Sequence, residues 1–179
     1  MSLSTLLVAG LGASLIGGIV SQTMNQAQTT KPSAVSVFLH TANPKVKAGD
    51  RVVLKKTLTN RSDHEVTLGI EVYHSDCAVD VRDASGSFAA DRKVGYRHGR
   101  LDLEQLAQMT PEQVAKTGLL SGKLAWIKLK PGEAFTQTCD VTSFYDMTKP
   151  GVYTATVDFA DPDSAVLIKS NSVEVTVVQ

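Results

Sequence analysis

A chain of 179 residues in which 18 basic side chains face 18 acidic ones suits one ordinary domain with a short extension, and carries no electrostatic footprint for a phosphate backbone. Nucleic acid is thereby set aside as a partner. With 42% apolar and 20% charged residues, the composition is that of a folded globular protein, neither a disordered chain nor a membrane-embedded one.

The first element is an uncharged run, LLVAGLGASLIGGIV, from Leu6 to Val20. It falls short of the about 20 apolar residues that span a bilayer, and matches the apolar centre of a secretory signal. A signal normally opens with positive charge, yet no Lys or Arg precedes Lys31. A cleaved signal ending near Ala27, an uncleaved anchor and a mis-assigned start therefore all stay open. No cysteine closes the run, so the thiol for lipoprotein attachment is missing. Residues 1–27 read as a signal peptide or N-terminal anchor, 28–33 as a polar leader, and 34–179 as the folded domain of a secreted or periplasmic protein. Membrane contact is expected only through the first segment, if it is uncleaved.

After Ala34 the apolar residues recur every second position, which places them on one face of a strand. Val35, Val37 and Leu39 form the first set, and Arg51 to Leu58 the next after the turn signals of NPKVKAGD. NRSDH (Asn60 to His64) reads as a turn; Val66, Leu68, Ile70 and Val72 alternate with polar neighbours, and Cys77, Val79 and Val81 continue as a further strand. Leu124–Leu129, Phe135–Val141, Val152–Phe159 and Val173–Val178 complete the series. Seven or eight short strands with no crossover helices predict an all-β, immunoglobulin-like antiparallel β-sandwich. One segment, around 101–118, breaks the pattern and predicts a short helical insertion: Thr110 suits an N-cap, Pro111 the first helical position, Gln113 the capping box, and Gly118 the end. Leu101, Leu106, Met109 and Val114 could lie against the sandwich edge.

YDMTKPGVYTATV, from Tyr145, runs from a turn into a strand. Asp146 and Tyr153 read as a structural corner, the Tyr153 hydroxyl bonding back to upstream backbone as in a tyrosine corner. Cys77 and Cys139, the only cysteines, both fall on apolar parity. They read equally as a disulfide and as two core thiols. HSDC (His74 to Cys77) offers metal-ligand types without partners to close a site, and DPD (Asp161 to Asp163) reads as a solvated turn rather than a calcium loop. Arg92, Lys93, Arg97, His98 and Arg100 cluster as solvated loop charges or a basic patch, and Trp126 is expected in the core. No arrangement of nucleophile, base and acid is legible, so no catalytic, cofactor-binding or metal residue is assigned and no cofactor is expected.

Three stretches together carry a family likeness: NPKVKAGDRVVLKKTLTNRSDHEVTL, LKPGEAFTQTCDVTSFYDMTKPGVYTATV and SNSVEVTVV. They resemble the immunoglobulin-like N-terminal (pro)domain of deuterolysin-type zinc metalloproteases and related stand-alone bacterial secreted proteins. The protease signature, HExxH, is missing: His40, His64, His74 and His98 are scattered, and none stands in that motif. The resemblance therefore implies a prodomain-like sandwich without its enzyme, which binds a protein partner, and it suggests a protease, chaperoned or inhibited, as that partner. The alternatives are an adhesion or envelope-assembly sandwich and a small metal-binding protein using His74 and Cys77.

Overall fold

The computed structural model describes residues 32–71, 78–92, 96–117 and 124–179. Twelve strands and two short helices follow in chain order: β1 (Val35–His40), β2 (Lys45–Lys47), β3 (Val53–Asn60), β4 (Val66–Glu71), β5 (Val79–Arg82), β6 (Tyr96–Arg97), β7 (Arg100–Leu101), α1 (Leu103–Ala107), α2 (Pro111–Thr117), β8 (Leu124–Leu129), β9 (Ala134–Asp140), β10 (Gly151–Ala160), β11 (Leu167–Lys169) and β12 (Val173–Val178).

The predicted sandwich is present. One sheet has the order β1-β3-β9; the other runs β11-β10-β12-β2, with β5 added on β10. Alternation supplies the core, since each strand turns one parity inward. Val35, Val37 and Leu39 from β1, Leu54 and Leu58 from β3, Val79 and Val81 from β5, Tyr153, Ala155 and Val157 from β10, and Val175 and Val177 from β12 are all buried in it. Every strand pair is antiparallel except β12 with β2, a three-residue parallel contact. It arises because the chain leaves the first sheet after β1, passes Pro44, and joins the second as β2, where Thr176 N–H donates to the Pro44 carbonyl at 2.8 Å.

Two small ribbons stand apart from these sheets: β4 with β8, and β6 with β7. Their connections hold the helical insertion. α1 is capped by Asp102, whose carboxylate accepts from Gln105 N–H at 3.1 Å. At α2, Thr110 N–H donates to Gln113 Oε1 at 2.8 Å and Gln113 N–H to Thr110 Oγ1 at 3.3 Å, the reciprocal capping box. Leu106, Met109 and Val114 are half-buried, whereas Leu101 belongs to β7 rather than to a helix. Gly118 lies outside the described residues.

Candidate functional site

The β4–β8 ribbon presents one wet face and one dry face. Val66, Leu68 and Ile70 of β4 and Leu129 of β8 turn into the core, with Ile127 packed beside them. The opposite parity carries Trp126, 68% exposed, directly across from Gly69, whose missing side chain leaves the indole uncovered. Next along the face, Lys128 pairs with Glu65 at 2.9 Å and lies opposite Thr67. The expectation of a core tryptophan is thus corrected. LAWIKL carries apolar residues on both parities, so alternation could not tell which was inward; the register with β4 decides it.

At one end of the sandwich three segments converge on two buried polar side chains. Asn60 closes β3: its amide donates to the His64 and Leu129 carbonyls at 2.7 and 2.8 Å, while its oxygen accepts from Ser62 N–H and Oγ. Asp161, only 2% exposed, accepts from Val35, Asp163 and Ser164 N–H and from Ser164 Oγ. The DPD segment is the exposed turn expected of it except at its first carboxylate, which is a buried anchor for β1. His64 bridges these turns, with Nδ1 3.1 Å from Asp63 and Nε2 3.2 Å from Asp163. The hydrogen bond to Asp63, then that to Asp163, holds its pKa above the ordinary value.

The arginine cluster is paired with acids or backbone, not gathered into a free basic patch. Arg97 meets Asp102 at 2.7 Å, Arg100 meets Asp80, and Arg92 donates to the Thr142 carbonyl. Lys93 lies outside the described residues. His98 stacks on Phe88 with ring centroids 3.7 Å apart, and the Arg82 guanidinium sits 3.9 Å from the same ring. Groups that close cannot share one face, so Phe88 is held between them.

The corner residues are placed as follows. Tyr153 donates from its hydroxyl to the Lys149 carbonyl at 2.9 Å, and Asp146 accepts from Thr148 N–H and Oγ1 at 3.0 and 2.7 Å. Both serve the turn that leads into β10, without bonding to each other. Cys139 is 1% exposed and disulfide-bonded, not a free thiol. Cys77 and His74 lie outside the described residues. The strand that was expected to start at Cys77 starts at Val79, because Ala78 takes φ +45° and interrupts the alternation.

The ring nitrogens of His64 face the Asp63 and Asp163 carboxylates, and His98 Nδ1 lies 3.8 Å from Asp91. Among the described residues no three His, Cys, Asp or Glu side chains are grouped to hold a metal ion, and no helix is long and apolar enough to cross a membrane. The basic depression at the β2 edge, with Lys45, Lys47 and Arg51, also contains Asp50, and Arg51 is paired with Asp140 at 2.8 Å.

No family model and no curated protein matches the chain. Among solved structures it is similar to the CARDB domain of a Pyrococcus furiosus protein in complex with di-metal ions, at 13% identity and a TM-score of 0.42, covering 82% of this chain and 89% of that one. It is also similar to a β-glucosidase from Listeria innocua, solved with glucose and with gluconolactone, at 14% identity and TM-scores of 0.39 and 0.41. That match covers 83% of this chain and 16% of the β-glucosidase. At such identities and scores, neither the metal ions nor the sugar chemistry of these proteins transfers to this chain.

Proposed function

We propose that the chain is a non-enzymatic, extracytoplasmic protein-binding module that docks its partner on the outer face of the β4–β8 ribbon. The observation that carries this reading is the exposed Trp126 opposite Gly69, flanked by the Lys128–Glu65 pair. Large aromatic side chains ringed by polar groups are the usual energetic centres of protein interfaces, and tryptophan leads that ranking. Cys139 supports the compartment: a buried disulfide half-cystine belongs to oxidising surroundings, and Cys77 is the other cysteine of the chain, so we assign it as the partner. That assignment counts against metal binding by His74 and Cys77, because it removes the thiolate such a site needs.

The resemblance to a deuterolysin prodomain points to a protease as the class of partner, chaperoned or inhibited by this domain. The test is capture of extracytoplasmic proteins of the producing cell by the tagged protein and by its Trp126→Ala variant in parallel. A protease retained by the parent and lost at least tenfold in the variant supports the reading. Equal recovery by both proteins removes Trp126 from the interface. Envelope proteins in place of a protease would move the adhesion or envelope-assembly reading ahead.

A further inference from the structure

The outer face of the first sheet is formed by the parity that β1, β3 and β9 turn away from the core, and in its middle row Phe38, Thr57 and Thr136 stand side by side. Phe38 is 56% exposed. Its neighbours in the row are short, and the Thr57 and Thr136 hydroxyls bond to each other at 3.0 Å. The surface beside the ring is therefore low, flat and hydroxylated.

The rows before and after Phe38 each bring a cation. On one side, Ser36 Oγ accepts from Arg61 Nε at 3.2 Å, which holds the guanidinium beside β1. On the other, the exposed Lys55 stands directly across from His40. Rows two residues apart along an antiparallel strand are separated by about 7 Å, so a positive side chain lies one row away from the ring in each direction. Arg51, Arg97, Arg100 and Lys128 are each ion-paired with an acid, whereas neither Arg61 nor Lys55 is paired with one among the described residues. In a chain of zero net charge this is a local field, and it selects an anion.

We propose that this face binds an acidic polysaccharide, with a pyranose ring stacked on Phe38 and the carboxylates of neighbouring sugars paired with Arg61 and Lys55. A pyranose presents a face of C–H bonds carrying partial positive charge, and an aromatic face is negative, so the two stack. Ser36, Thr57 and Thr136 set hydroxyls beside the ring that can donate to and accept from those of the sugar. An acidic peptide would also meet the two cations, but the side chains that anchor proteins to one another fill pockets. A flat sheet surface suits a flat, extended sugar chain instead.

Isothermal titration calorimetry of the whole chain against polygalacturonate, alginate and hyaluronan tests this, with the methyl ester of polygalacturonate and poly-glutamate as uncharged-sugar and sugar-free controls. At least one of the three acidic polysaccharides should bind, at least tenfold more tightly than either control and more weakly as salt is added. Phe38→Ala should cost at least tenfold, as should Lys55→Gln combined with Arg61→Gln, while Phe38→Tyr should bind within twofold of the parent. The replaced side chains are all on the surface, and an unchanged urea midpoint checks that each variant folds. Failure of all three polysaccharides to bind, equal binding of either control, or a loss under tenfold in Phe38→Ala or in the double variant overturns the proposal. Trp126→Ala addresses the other exposed aromatic, and a loss there matching that of Phe38→Ala would put the sugar on the β4–β8 ribbon and overturn it as well.

Discussion

Asp161 sits in a turn of polar composition, yet its titration is tied to the start of β1. Burial pushes its pKa up, but the hydrogen bonds from Ser164 and from Val35 N–H outweigh burial and leave it below the ordinary carboxylate value. A depressed folded pKa contributes stability that is present above the unfolded value and is lost as pH falls through the folded one. Asp161→Asn should therefore cost about 1–3 kcal/mol at neutral pH and flatten the loss of stability below about pH 4, measured by urea unfolding at several pH values. His64 has the opposite sign. Its raised pKa gives stability in full below the unfolded value of 6.5, lost as pH rises through the folded value. An NMR titration should place His64 above 6.5, and Asp163→Asn should bring it down; an unchanged curve would break the assignment of the bridge. Neither role was legible in the sequence, because alternation treats every polar residue as outward. Asn60, Asp161 and Lys56 are all buried, and what holds Asn60 and Asp161 inside is contact with loops distant in the chain.

The eight longer strands were legible as elements, because alternating apolar residues and turn punctuation act over a few residues. The capping box of α2 was legible for the same reason. Short elements were not: β2, β6, β7 and β11 have two or three residues each, too few for a period, and exist through their partners. The β6–β7 hairpin shows what makes such an element. His98 and Gly99 take φ +53° and +71°, the sign pattern of the type I′ turn that suits strand twist. A Cβ at Gly99 would stand 2.9 Å from the Val79 carbonyl oxygen and 3.0 Å from the Tyr145 hydroxyl, which itself donates to that carbonyl at 2.8 Å. Gly99→Ala should cost about 1–3 kcal/mol through strain and this collision, seen as a lowered denaturant midpoint with an unchanged slope. A stabilised variant would contradict the close approach.

For the molecule as a whole, the sandwich class followed from the succession of strands, whereas the candidate site did not. Trp126 looks like core in the sequence, and only the pairing of β4 with β8 turns it outward. On the proposed pairing of Cys139 with Cys77, the closed loop ties β9 to the approach of β5. Reduction should then lower stability by about 4 kcal/mol in the chain-entropy model, and the native protein should contain no thiol that reacts with a colorimetric reagent; two titratable thiols would refute the pairing. A different consequence lies in the position of β12. β12, which follows every other strand of the second sheet along the chain, occupies its middle, between β10 and β2. Until Val173–Val178 are available, β2 has nothing to pair with and β10 lacks one of its neighbours, so the sheet cannot assemble progressively from its beginning. Completion of the second sheet therefore waits on β12, whose pairings with β10 and with the distant β2 make this a late, non-local step in folding.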